Sequence, residues 1–76
     1  MTASELQHLL VNALVREAGG TQRRWRMAIG PVRIHDRATH PHCNWSVAPS
    51  GTHQDIAEIE RLLDDVRLRF PVVAAG

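Results

Sequence analysis

A chain of 76 residues, 43% hydrophobic and 22% charged, has ordinary globular composition and the length of one small domain, which buries only about 60% of the surface its unfolded form exposes. One cysteine excludes an intrachain disulfide, and an opening MTASELQHLL without a basic leader or a long apolar run points to a soluble, cytoplasmic protein with no membrane contact. A net charge of +1 and a sequence pI near 8.1 fall short of the basic excess usual in dedicated nucleic-acid binders.

Residues 4–18 are predicted helical, since Leu6, Leu9, Leu10, Ala13 and Leu14 recur at three- and four-residue spacing. Thr2 or Ser4 can cap the start, Thr2 with Glu5 has capping-box spacing, and Gly19-Gly20 supplies the left-handed stop. Residues 23–29 alternate, with Trp25, Met27 and Ile29 opposite Arg24, Arg26 and Ala28, which predicts a strand. The phase slips by one at Gly30-Pro31, a turn or a bulge. A second strand over 32–36 then sets Val32 and Ile34 opposite Arg33, His35 and Arg37. A third, over 42–48, sets Cys43, Trp45 and Val47 against His42, Asn44 and Ser46.

After the loop APSGT, Thr52 caps a second helix over 53–70, with Asp55 as its capping-box partner. Ile56, Ile59, Leu63, Val66 and Phe70 form its apolar seam, and Pro71 limits it. Residues 71–76 are a tail whose valines can dock. The expected architecture is therefore a single α+β domain over 1–76. It has two layers, with both helices on one face of a three-stranded antiparallel sheet. The other sheet face carries Arg24, Arg26, Arg33, His35, Arg37 and His42, the predicted partner-binding surface.

Charge distribution supports that emphasis. All nine basic residues are arginine, and five of them (Arg23, Arg24, Arg26, Arg33, Arg37) fall in residues 21–42 against Asp36 alone. Guanidinium forks match both carboxylate and phosphate groups bidentately, so an acidic protein surface and a nucleic acid are both open as partners. Exposed aromatics that would stack on bases are missing, because both tryptophans fall on the inward parity.

The stretch RIHDRATHPHCNWSV raises a third reading, a zinc or Cys/His catalytic site built on His40, His42 and Cys43. Zinc needs several nitrogen and sulfur ligands converging on one point, and a nucleophilic thiol needs a base within hydrogen-bond reach. In a strand, Cys43 points away from adjacent His42 and shares the inward side with Trp45 and Val47. Phosphate-cradling glycine loops and nucleotide-binding fingerprints are absent from the sequence. The expectation is thus no catalytic residue, no metal and no cofactor.

The order helix–strand–strand–strand–helix, with the Gly-Pro and histidine of GPVRIH, is similar in topology to the double-stranded RNA-binding domain, whose strand-connecting loop that stretch echoes. That family's phosphate-gripping lysines have no counterpart in GTHQDIAEIE, so the resemblance implies topology alone. In size, arginine bias and lack of catalytic motifs, the whole chain resembles small phage and mobile-element proteins of the anti-CRISPR type. That resemblance implies a non-enzymatic inhibitor that occupies a surface of a larger protein or protein–nucleic-acid complex, and it carries over no specific residue. An exposed edge strand on so small a core is also compatible with a homodimer.

Overall fold

The structure, a computed structural model, describes residues 1–76. In chain order it contains α1 (Ala3–Ala18), α2 (Gln22–Ile29), β1 (Arg33–Ile34), β2 (Trp45–Ser46) and α3 (His53–Arg69). The fold is α+β, but the expected three-stranded sheet is replaced by three helices and a two-stranded antiparallel pair, in which Arg33 faces Ser46 and Ile34 faces Trp45. No helix is long and apolar enough to cross a membrane.

Local chemistry sets the ends of α1. Thr2, rather than Ser4, is its N-cap: the Thr2 hydroxyl accepts from the Glu5 amide at 3.2 Å, and Glu5 Oε1 accepts from the Thr2 amide at 3.0 Å. Hydrogen bonding to the Glu5 carboxylate, from the Thr2 backbone amide first and the Thr2 side chain second, holds that carboxyl below the usual carboxylate range. Gly19 closes the helix at φ +80°. At Gly20 the φ of +89° strains any residue with a Cβ, and the Arg24 Nη1, 3.0 Å from where a Cβ would stand, would also have to give way slightly.

The main correction concerns residues 23–29, which are helical. Thr21 caps α2 by accepting from the Arg24 amide at 3.1 Å, and Gly30 ends it at φ +68°. Trp25, Ala28 and Ile29, at three- and four-residue spacing, are the buried set, whereas Met27 is 71% exposed. Alternation of Trp25, Met27 and Ile29 was therefore a coincidence within a helical stripe. Trp25 anchors the helix by donating from Nε1 to the Gly19 carbonyl at 2.6 Å.

The strand expected over 42–48 shrinks to two residues for an equally specific reason. Asn44, placed on the outward side by parity, is buried and holds the C-terminal tail. Its Nδ2 donates to the Val73 carbonyl at 2.8 Å, its Oδ1 accepts from the Val73 amide at 2.9 Å, and its own amide donates to the Pro71 carbonyl at 3.1 Å. Satisfying both ends of a buried amide side chain in this way removes the desolvation cost of placing it there. Val73 docks in the core while Val72 stays exposed, and the tail goes on to bridge Thr2 through Ala74.

Thr52 caps α3 by accepting from the Asp55 amide at 3.1 Å. The core joins Leu6, Leu10 and Leu14 of α1 to Trp25 and Ile29 of α2, to Ile59, Leu63 and Val66 of α3, and to Trp45 and Val47. The β pair thus lies against a helical core instead of forming a layer beneath two helices.

Candidate functional site

Changing a strand into a helix redistributes the arginine surface. Arg24 and Arg26 lie on α2, Arg33 lies on β1, and Arg37 and His42 lie in the connection between β1 and β2. The six predicted partner-binding residues therefore do not share one sheet face. Arg24 is also partly engaged: its Nη2 donates to Asp55 Oδ1 at 2.6 Å, and its guanidinium stands 4.8 Å from the Trp25 ring centre. Asp55 therefore bridges to α2 with the carboxylate that the sequence assigned to a capping box.

Pairing divides the arginines into two groups. Arg61, Arg67 and Arg69 meet Glu58, Asp64 and Asp65 within α3, at 3.4, 3.7 and 3.2 Å. Arg67 also lies over Trp45, 5.8 Å from its ring centre. Arg16, Arg23, Arg26, Arg33 and Arg37 have no carboxylate within ion-pairing distance, and all but Arg16 of α1 fall in residues 21–42. The one acid of that segment, Asp36, instead turns Oδ1 to the Ala38 amide at 2.8 Å, stabilising a turn.

Arg23 is absent from the sequence-predicted site because strand parity sends it inward with Trp25. Helical geometry puts Arg23 and Met27, four residues apart, together on the exposed side of α2. The available signal was Thr21 after Gly19-Gly20, a helix cap following a chain reversal.

The histidines hold the connection together. His35 Nε2 and Ser46 Oγ are 2.7 Å apart, and the His35 and His40 rings stack at 4.3 Å with an interplanar angle of 19°. His40 Nδ1 in turn meets Thr39 Oγ1 at 2.9 Å. Near-parallel stacked rings keep their in-plane lone pairs in separate, near-parallel planes, whereas shared metal ligation needs them to converge. Cys43 is half-buried against the core and directs Sγ to the Trp45 carbonyl at 3.4 Å. His42 is exposed, and His40, His42 and Cys43 belong to no group of three or more metal-ligating side chains.

No protein-family model matches the chain, and comparison with curated proteins and with solved structures likewise finds no match. What the chain does has to come from its own side chains, and the unpaired arginines of α2 and the β connection are the feature that stands out.

Proposed function

We propose that this chain is a small non-enzymatic binding protein that masks an acidic surface of a larger protein or protein–nucleic-acid complex. An inhibitor of the anti-CRISPR type is the sharpest form of that reading. The observation that carries it is the concentration of four unpaired arginines, Arg23, Arg26, Arg33 and Arg37, in one segment, while α3 neutralises its own. Unpaired guanidiniums keep their forks available for bidentate bonds to a partner's carboxylates or phosphates. A direct grip on nucleic acid uses the same groups, but Trp25 and Trp45 are 1% and 2% exposed and offer no stacking platform.

The test is capture of a partner from a lysate of the native host by the immobilised chain. Reversing all four charges to glutamate should abolish capture with the far-UV circular dichroism unchanged; undiminished capture by the folded variant overturns the reading. Nucleic acid as the partner would instead show affinity for a plain duplex falling steeply with salt, as counterion release requires.

A further inference from the structure

We propose that the outward side of α2 docks an acidic protein segment carrying one aliphatic side chain among its carboxylates. This rests on the reading of the unpaired arginines as a partner surface and names what they meet. Met27 is 71% exposed in the middle of the basic run. Arg23 lies one turn before it on the same side, and Arg26, the preceding residue, lies about 100° round the helix, neither neutralised within the chain. The first turn of α2 contains no acid, so the positive end of the helix dipole adds to the same field.

Beside Met27 a shallow, open hollow of about 320 Å³ lies between α2 and the loop before α3, lined by Arg24, Met27, Ala28, Ser50, Gly51 and Asp55. Its walls are held in place from both sides. The Ser50 amide donates to the Ala28 carbonyl at 2.9 Å, and Arg24 is tied to Asp55 at 2.6 Å. Gly51 holds φ +117°, and a Cβ there would stand 3.1 Å from Asp55 Oδ2. A preformed hollow lowers the ordering cost of binding. Because Arg24 neutralises Asp55, the hollow does not repel an acidic ligand.

Methionine and arginine are among the residue types enriched in protein interfaces, and a flexible thioether adapts to whatever aliphatic group enters. Phosphodiester backbone has no aliphatic group to cover Met27 and Ala28. The chemistry on this face therefore favours carboxylates around an aliphatic anchor, with the arginines supplying orientation and the hollow supplying fit.

The inference is tested by titrating the isotope-labelled full chain, followed by amide and methionine-methyl resonances, with three probes at low salt. These are a synthetic Glu/Asp peptide with one central leucine, the same peptide with serine in its place, and a short DNA duplex. The leucine peptide should shift the Met27 methyl and the Ser50 and Gly51 amides. Its affinity should drop about tenfold on Leu-to-Ser exchange in the peptide and comparably in Met27→Ser, the scale of losing one interface anchor.

Met27→Ser alters an exposed side chain, and its unperturbed spectrum elsewhere reports that it folds. Equal affinity for both peptides overturns the anchor while leaving the arginine surface standing. Tighter binding of the duplex on the same resonances overturns the protein occupant. Failure of all three probes to shift α2 resonances overturns the inference together with the basic-surface reading it rests on.

Discussion

Helices α2 and α3 both carry three arginines yet treat them in opposite ways. In α3 each guanidinium lies three or four residues after an acid and meets it within the helix, the spacing that stabilises a solvated helix face. In α2 the eight residues QRRWRMAI include no acid at all, and only Arg24 finds a partner, on another element. The seventeen-residue α3 is long enough to contribute to its own stability, whereas the eight residues of α2 are below the length at which an isolated helix persists. The difference separates a helix that neutralises its own arginines from one that the tertiary structure holds in place and whose charge, Arg24 aside, is left unpaired.

The largest test of this contrast is Trp25→Ala. If tertiary anchoring holds α2, losing this buried ring and its bond to Gly19 costs about 3–5 kcal/mol, a large share of a small domain's stability. Denaturant unfolding should show the midpoint fall sharply, and an unchanged midpoint would break the comparison. Next is the one bond joining the two helices. A double-mutant cycle on Arg24 and Asp55 should give a coupling of about 0.5–1 kcal/mol, held to that size because the arginine is half exposed. A coupling of zero would leave α2 without an electrostatic tie to α3.

Smaller effects separate the two arginine groups directly. Arg67→Gln and Arg69→Gln should each destabilise by about 0.3–0.5 kcal/mol through lost intrahelical pairs, whereas Arg23→Gln and Arg26→Gln should be neutral or slightly stabilising. Thermal melts of the four variants check this, and equal losses in both groups would erase the distinction. The smallest effect lies at the start of α1. The Glu5 carboxyl is held below its usual range by Thr2, so its contribution is present above the unfolded carboxyl pKa of about 4.3. It fades as pH falls through the lower folded value. The stability gap between the native chain and Glu5→Gln should therefore close on acidification, and a gap that widens would contradict the capping box.

Legibility along the chain follows how local the determining interactions are. The two long helices, the cap at Thr2 and the cap at Thr52 were readable because each depends on residues within a turn of one another. Residues 23–29 read as a strand because Trp25, Met27 and Ile29 satisfy a period of two as well as Trp25, Ala28 and Ile29 satisfy a helical stripe. Gln, Arg, Met and Ala are strong helix formers, and Ile29 is the lone β-branched residue of the run. Propensity pointed the right way there and was outweighed by alternation. Asn44 gave no comparable signal, since its partners at Pro71 and Val73 are 27 and 29 residues away.

The histidine–cysteine stretch became legible only in three dimensions, as a stacked pair, a thiol turned to a backbone carbonyl and an exposed imidazole. By itself the sequence determined a small α+β chain with two long capped helices and an excess of arginine between them, because composition, period and capping act over a few residues. Only the tertiary structure decided that this excess rides on a third helix, that Arg24 is tied up while Arg23 and Arg26 are not, and that Met27 faces outward. Those outcomes depend on which distant carboxylate, carbonyl or apolar surface each side chain meets, and that is set by packing.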